Sequence, residues 1–381
     1  HKSVNSSLYR PLLLINLELE SRLFGDWKPG FHLVNIALHV LTTLLLYGFL
    51  RKLLRMTALK PGRSDFYALI TALVFAVHPV HTEVVNSVFN RSSLFVSIFA
   101  VGGLWWLLQH IDTRPARAWA GLALAYFAAT LFKESALTLP GIAAAMVFIL
   151  TPGSFWPRVR RVLPVFWLLI PLALYLALRT QALTPGAASE LDAYGFNAVI
   201  EQGKLPNTQI FLGASAVVGQ AMKVIAWPYP LYLYYERPTD SMQIVYLLLN
   251  LAMISSAIIL FLRGRPGVAL GMSFFYLAIV PASRVIGGDG ALPHLAERYL
   301  YYPSIGLAII LAFAVRVFVE RFSPRALIYL VLPLIILLTA LTWDRNSDWA
   351  NQVLLFETEY DRGSRGRNAL RLLVSASICL L

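Results

Sequence analysis

The sequence predicts an all-α protein that crosses a membrane many times. Of the 381 residues, 58% are hydrophobic and only 14% are charged, whereas an ordinary soluble domain carries about 25% charged residues. Apolar runs of the length that a bilayer requires recur along the chain. The Lys and Arg residues cluster in alternate loops between these runs, as they do in polytopic membrane proteins.

Ten apolar runs predict ten membrane crossings, although several of them are short. Their approximate limits are 31 to 50, 66 to 80, 92 to 109, 117 to 132, 136 to 150, 162 to 179, 243 to 262, 268 to 283, 303 to 319 and 326 to 343. The polar interval 180 to 242 contains a semi-apolar stretch, Ile210 to Trp227, which we expect to be an interfacial or re-entrant helix. The stretch that follows, Trp227 to Tyr235, is typical of an aromatic belt, and its flat faces also suit stacking against a sugar.

The positions of Lys and Arg predict the orientation. Because cytoplasmic loops are enriched in these residues, the strongly basic loops are predicted to be cytoplasmic. Their basic residues are Arg51, Lys52, Arg55, Lys60, Arg63, Arg114, Arg117, Arg158, Arg160, Arg161, Arg263, Arg265, Arg316, Arg321 and Arg325. The opposite short loops carry only Arg91, Lys133, Arg284 and Arg298, with a few residues near the termini. Both chain ends and the long interval 180 to 242 are therefore expected on the outer side.

This topology divides the chain into three parts. Residues 1–30 are expected to form an outer-side loop or interfacial helix, and residues 31–343 a transmembrane domain that includes the outer loop 180–242. Residues 344–381 have helical spacing and are expected to begin an outer-side helical-repeat region. The net charge of +12 does not indicate nucleic-acid binding, since the basic residues lie between apolar runs. The lone Cys379 excludes an internal disulfide framework.

Three clusters of ionisable residues fall at membrane edges, and the predicted topology places all of them on the outer face. They are His78, His81, Glu83 and Arg91; Lys133 and Glu134; and Glu297 and Arg298 with Tyr299, Tyr301 and Tyr302. Ionisable groups in such places are costly and indicate a functional site. The second and third clusters also have a simpler interpretation. Lys133 would extend to the membrane interface, and Glu134 would lie at a helix N-terminus. Glu297 and Arg298 would form a local ion pair.

Cations and carboxylates that lie together at the outer leaflet suit an enzyme that transfers a group from a lipid-linked phosphate donor to an acceptor outside the cytoplasm. The cations would hold the anionic leaving group, and a carboxylate would remove the proton of the acceptor hydroxyl. His78 and His81 lie at i and i+3, but the chain lacks the H-E-x-x-H pattern of zinc sites. The sequence therefore requires no metal. It also contains no G-x-x-x-x-G-K-[ST] loop, which disfavours transfer from a nucleotide.

Several sequence motifs occur along the chain in the same order as in a known protein family. They are Tyr9-Arg10-Pro11-Leu12, His32-Leu33-Val34-Asn35 with Leu38-His39, Phe75 to Val84, Lys133-Glu134-Ser135-Ala136, Ala296 to Gly306, and the closing segment Trp343 to Phe356. Together they resemble the transmembrane O-mannosyltransferases that carry tetratricopeptide repeats, and the bacterial relatives of these enzymes. The resemblance spans nearly the whole chain.

The resemblance implies a GT-C type glycosyltransferase fold. Enzymes of this kind use a polyprenyl-phosphate sugar, mannose in the characterised eukaryotic members, and transfer it to Ser or Thr hydroxyls on the outer or luminal side. It further implies an acidic pair and a first transmembrane helix upstream of His1, which would give eleven crossings in all. The expected general base would therefore precede His1.

The resemblance also implies residue roles. Lys133 and Arg298 are placed at the donor phosphate, with His78, His81 and Arg91 as further candidates. Supporting residues that orient these cations or contact the sugar are Glu83, Glu134, Glu297 and Tyr299. Of these, Glu83 is the candidate catalytic carboxylate within the chain. The expected partners are membrane lipid, the polyprenyl-phosphate sugar, and a protein acceptor recruited through tetratricopeptide-like repeats.

Two other functions remain open at this point. A non-catalytic membrane scaffold of the same family would lack the acidic pair and recruit partners through its outer repeats. A transporter would carry ionisable residues near the bilayer midplane, and the clusters in this chain lie at one face instead. Only seven of the 32 basic residues are lysines. This bias favours a bacterial cytoplasmic membrane, with the endoplasmic reticulum as the alternative.

Overall fold

Helices form nearly all of the described structure. The computed structural model describes residues 9–57, 61–182, 207–283 and 295–361. Within these ranges it contains α-helices, short 3-10 turns and one isolated β-bridge, between Tyr234 and Ala296, but no sheet. A chain in hydrocarbon has to satisfy its backbone N–H and C=O groups internally, which helices do. The predicted all-α class is confirmed.

The α-helices of the described ranges are numbered here in chain order. They are α1 Pro11–Phe24, α2 Lys28–Met56, α3 Pro61–Ala76, α4 Thr82–Asn86, α5 Ser92–His110, α6 Pro115–Phe132, α7 Leu139–Leu150, α8 Phe155–Val162, α9 Leu169–Ala182, α10 Asn207–Ala226, α11 Asp240–Leu262, α12 Pro266–Ser283, α13 Tyr301–Arg321, α14 Pro324–Asp348 and α15 Gln352–Asp361. Several begin with proline at the first or second position, as in α2, α6 and α14. The N–H that proline lacks would have no helical partner there.

Among the described residues, eight helices are long and apolar enough to cross a membrane, or nine if the bent pair Gly62–Ala76 and Pro79–Asn86 forms one span. The sequence predicted ten. The predicted crossings at 117–132 and 136–150 are helices α6 and α7, but α6 is not among the candidate spans and α7 belongs to a shorter apolar helix. Arg117 lowers the mean hydropathy of α6.

The stretch expected to be interfacial or re-entrant, Ile210 to Trp227, forms a 19-residue candidate span, Thr208–Ala226. Lys223 is its one charged residue, so its composition permits a crossing. Other predicted features lie partly outside the described residues. These are residues 1–8 of the first segment, 183–206 of the long loop and 362–381 of the expected repeat region.

Helices α12 and α13 cross at a contact between two glycines. A Cβ atom added at Gly271 would lie 2.4 Å from the carbonyl oxygen of Gly306, and one added at Gly306 would lie 2.5 Å from that of Gly271. Small residues permit such close backbone approach in membrane helices. This crossing holds the start of α13 and the turn that precedes it against the helical core.

The helical path breaks between α3 and α4, at His78-Pro79. The two helical segments meet at a 57° bend, because proline supplies no N–H and its ring obstructs the preceding turn. The imidazole Nδ1 of His78 accepts the backbone N–H of Val80 at 3.3 Å and caps the short turn that follows. The break turns α4, which carries Glu83, away from the axis of α3.

Arg91, immediately before α5, is fully buried and binds α1, α2 and the residues near them. Its Nε donates to Asn35 Oδ1 at 2.8 Å and its Nη2 to the Phe31 carbonyl at 2.9 Å. Its Nη1 donates to Asn16 Oδ1 at 3.1 Å, and the Glu20 carboxylate forms an ion pair with the same guanidinium. The cation therefore joins three helices by contacts that a neutral residue could not make.

We predict that Arg91→Met destabilises the fold by about 3–5 kcal/mol, because it leaves the Glu20 carboxylate buried without its cation. The matched control is Arg22→Met, which removes an exposed i,i+4 pair with Glu18 and should cost at most about 0.5 kcal/mol. The midpoint of thermal unfolding in detergent micelles compares the two variants. Equal midpoints would contradict a structural role for Arg91.

Candidate functional site

A cavity of about 380 Å³ lies where α4, the 231–236 segment, the turn before α13 and the residues after α14 meet. This volume falls in the range of about 300–1,000 Å³ that is typical of small-molecule sites. The lining residues are Glu83, Leu233, Tyr234, Arg298, Trp349, Asn351, Leu355 and Phe356. Two of the predicted site residues, Glu83 and Arg298, are thus brought together at one end of it.

The Glu83 carboxylate is saturated by N–H donors. It accepts the backbone N–H of Arg298 at 2.6 Å and the Nη1 of the same residue at 3.2 Å. Asn90 Nδ2 donates to it at 3.1 Å. Only 3% of the Glu83 side chain is exposed, against 19% for Arg298. The geometry therefore suits a carboxylate that orients Arg298 towards the cavity.

Two tyrosine rings flank the Arg298 guanidinium. Its central carbon lies 4.6 Å from the ring centroid of Tyr234 and 5.1 Å from that of Tyr299, and its Nη2 donates to the Tyr234 hydroxyl at 2.8 Å. Burial alone lowers the pKa of Arg298, but the Glu83 carboxylate outweighs this effect and raises the pKa above its usual value. The guanidinium stays charged in one fixed orientation.

Lys133 lies on the Tyr299 side of Arg298, at the break between α6 and the turn before α7. Its Nζ is 6.0 Å from the centroid of the Tyr299 ring and donates to Ser93 Oγ at 2.7 Å. The structure therefore places Lys133 beside the same tyrosine as Arg298. The cavity lining includes Tyr234 but neither Tyr299 nor Lys133.

The surroundings of Lys133 disfavour its charged form. Burial is the largest cause and repulsion by Arg10 and Arg298 adds to it, so the pKa of Lys133 falls to about 7, although Glu134 and Glu83 act in the opposite direction. Arg10 itself pairs with Glu134 at 2.8 Å. A bound anion would therefore stabilise the charged form of Lys133.

Arg345 joins α14, α15 and the turn before α13 through buried ion pairs. Its guanidinium lies 3.0 Å from Glu297, 3.0 Å from Asp348 and 2.9 Å from Glu359. Glu359 in turn accepts the backbone N–H of Leu233 at 2.9 Å. The network connects three parts of the chain that are distant in sequence and meet beside the cavity.

Glu297 is the fully buried member of this network next to Arg298. Burial raises the pKa of Glu297 to about 7, and the Glu83 carboxylate acts in the same direction, while Arg345 opposes them. The Thr82 hydroxyl donates to Glu297 at 2.8 Å. Its carboxylate thus holds α4 and α14 together and does not line the cavity.

The other predicted phosphate ligands lie away from the cavity lining. His78 Nε2 is 3.0 Å from the Ile225 carbonyl oxygen, and His81 Nε2 is 3.0 Å from Ser304 Oγ. Arg91 is engaged with α1 and α2, as described above. In the described ranges, no three His, Cys, Asp or Glu side chains come together in a way that could hold a metal ion.

Several residues that build the site carried no predicted role. They are Arg10, Arg345, Trp349 and Glu359, whereas Tyr234 belongs to the predicted aromatic belt. Arg345 had the signal that marked the other clusters, since it is a cation just beyond an apolar run. Its carboxylate partners come from distant parts of the chain, and a single sequence does not show such pairings.

The chain resembles several curated proteins over most of its length. It is 26% identical over 388 residues to protein O-mannosyl-transferase TMTC3 of Mus musculus, a match that covers 93% of this chain and 40% of that protein. It is also 26% identical to protein O-mannosyl-transferase TMTC4 of Homo sapiens, with 94% of this chain and 53% of the relative covered. The chain is a distant homologue of these protein O-mannosyl-transferases.

A third relative, protein O-mannosyl-transferase F38B6.6 of Caenorhabditis elegans, is 25% identical, with 94% of this chain and 48% of the relative covered. The chain thus spans about half the length of these O-mannosyl-transferases, or less. No family model and no solved structure matches it. The resemblance drawn from the motifs is confirmed as distant homology.

The lowered pKa of Lys133 predicts a pH-dependent stability. Between pH 8 and 10 the folded protein holds Lys133 largely neutral while the unfolded chain protonates it, so the free energy of unfolding rises with pH, by at most about 1.4 kcal/mol per unit. Lys133→Met should remove this rise, whereas Lys223→Met, at an exposed position of α10, should retain it. The measurement is the thermal unfolding midpoint in detergent across this pH range. Parallel profiles for the wild type and Lys133→Met would contradict a buried Lys133.

Proposed function

We propose that this chain is the membrane part of a glycosyltransferase that uses a polyprenyl-phosphate sugar. The sugar is mannose or a related hexose, and the acceptor is a Ser or Thr hydroxyl of a protein on the outer or luminal face. The proposed membrane is the bacterial cytoplasmic membrane, with the endoplasmic reticulum as the alternative. The distant homology to O-mannosyl-transferases supports this class of reaction.

The fixed Arg298 guanidinium is the observation that carries the proposal. Arginine has five N–H donors, and two of them hold its orientation through Glu83 and Tyr234. The partly exposed guanidinium therefore has donors left for phosphate oxygens. Arg298 is charged and preorganised at a point where a lipid phosphate would arrive from the bilayer.

Lys133 and Arg10 complete the proposed phosphate site. Burial, and after it repulsion by Arg10 and Arg298, lowers the pKa of Lys133 to about 7. A phosphate anion between these cations and Arg298 would favour the protonated form of Lys133. Binding of the donor would thus be coupled to uptake of a proton.

The proposed reaction exchanges one bond for another at the sugar. The acceptor oxygen bonds to the anomeric carbon while the bond from that carbon to the phosphate oxygen breaks, and the electron pair leaves with the phosphate. The hydroxyl proton passes to a carboxylate, which the family resemblance assigns to an acidic pair upstream of His1. The cations stabilise the negative charge that develops on the leaving phosphate.

Glu83 is proposed as a positioning residue. Three N–H donors occupy its carboxylate, and only 3% of the side chain is exposed, so an acceptor hydroxyl has little access to it. Glu134 is likewise proposed to position Arg10, and Glu297 is proposed to position Arg345. His78, His81 and Arg91 are proposed to stabilise the bend at Pro79 and the packing of α1, α2 and α5.

A non-catalytic scaffold is the second candidate, and one observation favours it. Glu83 is the one carboxylate among the described residues that line the cavity, and three N–H donors already occupy it. A scaffold of this family would recruit partners through its outer repeats without needing a base. The two functions differ in whether membranes that contain the full-length protein transfer sugar.

We predict that Arg298→Lys lowers sugar transfer about 100-fold or more, because lysine cannot donate to Glu83, Tyr234 and a phosphate in one planar arrangement. The assay follows radiolabelled mannose from polyprenyl-phosphate mannose to a Thr-containing peptide, with the full-length protein in membranes. Arg22→Lys, at an exposed position of α1, is the matched control and should transfer at the wild-type rate.

Wild-type rates in Arg298→Lys would contradict the phosphate role. If the wild type also transferred no sugar while it folded normally, the scaffold function would replace the enzyme.

Glu83→Gln provides a separate test of positioning. The neutral amide loses the ion pair with Arg298, so we predict that the KM for the lipid donor rises about tenfold or more while the KM for the peptide changes little. A kcat lowered about 100-fold or more, with an unchanged donor KM, would instead identify Glu83 as the general base. The same membrane assay supplies both constants.

A further inference from the structure

The cavity has a wall that the phosphate chemistry does not use. Trp349, Leu355 and Phe356 form this wall, which we name the C-terminal wall. Leu355 and Phe356 are buried in a small apolar cluster with Leu233. The wall follows Asp348, the last residue of the last candidate span among the described residues, so it lies beyond the apolar part of that helix.

The C-terminal wall is fixed to the charged end of the cavity. Arg345 binds Glu359, on the same helix as Phe356, and also binds Glu297, the neighbour of Arg298 in the chain. These carboxylates and the arginine are all buried. The two ends of the cavity therefore keep one relative position before any ligand arrives, as a preorganised site requires.

The C-terminal wall contains a hydrogen-bond donor without a partner. The Trp349 Nε1 atom is buried and makes no hydrogen bond to any described residue. An indole N–H can only donate, and a buried donor without a partner is unfavourable. Trp349 lines the cavity, and a ligand carbonyl would accept this N–H once the indole ring turns towards it.

The charges of the cavity favour a neutral ligand. Glu83 and Arg298 are the charged residues of the described lining, and they pair with each other. Lys133 lies beside Tyr299 and does not line the cavity, and neither does Arg10. The phosphate and the occupant of the cavity would therefore contact different groups around Arg298.

We propose that the cavity binds the acceptor polypeptide. Its Ser or Thr hydroxyl lies at the end formed by Glu83 and Arg298, and a neighbouring large apolar side chain packs on Leu355 and Phe356. A peptide carbonyl accepts the Trp349 N–H. A polypeptide segment supplies an apolar side chain, a carbonyl and no net charge together, and this identification of the acceptor rests on the proposed function.

The first test measures binding without turnover. A benzophenone-labelled peptide with adjacent Phe and Thr residues is irradiated with the full-length protein in membranes, and the labelled site is mapped by mass spectrometry. We expect labelling within residues 349–356, reduced about tenfold in Phe356→Ala. Trp343→Phe is the control, because Trp343 is 80% exposed on α14, and it should label like the wild type.

The second test separates the peptide from the donor by kinetics. Trp349→Phe keeps the ring and removes only the N–H, so the fold should persist while the KM for the peptide rises about fivefold. The KM for polyprenyl-phosphate mannose should not change. A raised donor KM with an unchanged peptide KM would overturn the inference and assign the cavity to the donor.

The outcomes also separate this inference from the proposed function. Peptide labelling in the C-terminal wall without any sugar transfer would leave the peptide site standing and reject the enzyme. Sugar transfer with labelling elsewhere, or with full labelling in Phe356→Ala, would keep the enzyme and reject the peptide site.

Discussion

A buried arginine has to be paired, and this requirement determines how the ends of the membrane helices are joined. Arg91, Arg298 and Arg345 each lie at the end of a candidate span or beside one, and each binds a carboxylate from a distant part of the chain. Removing either partner of such a pair would leave an uncompensated charge in a poorly solvated place. The pairs therefore specify which helix ends meet.

The pair of Glu83 and Arg298 has the most consequences for function. It depends on the bend at Pro79, which turns α4 out of line with α3, and on the crossing of α12 and α13, which holds the turn before α13. Arg298 consequently stands between two different environments. Lys133 lies beside Tyr299, whereas Tyr234 and Arg298 line a cavity whose charged lining residues pair with each other. An anionic donor and a neutral acceptor would need just such a separation at one reacting centre.

The sequence predicted the membrane helices and the three ionisable clusters, and the structure brings members of each cluster close to the cavity or to its supports. The prediction was least accurate where composition was intermediate. Helix α6 is less apolar than its predicted crossing required, and Thr208–Ala226 is more compatible with a crossing than expected. His78, His81 and Arg91 looked equivalent to Arg298 in the sequence, yet their polar atoms bind groups away from the cavity. Nothing local distinguishes a cation that holds helices together from one that faces a cavity.

The sequence by itself determined the all-α class, most of the spans and the residues whose charge is costly near a membrane. Segment length and composition control these properties, and both can be read without knowing what a segment packs against. Only the tertiary structure decided which carboxylate pairs with which buried arginine. The pairs are Glu83 with Arg298, Glu297 and Glu359 with Arg345, and Glu20 with Arg91. It also decided that Trp349 and Phe356 stand across a cavity from Arg298. These relations depend on helix crossings and bends, which bring together residues that are far apart in the chain.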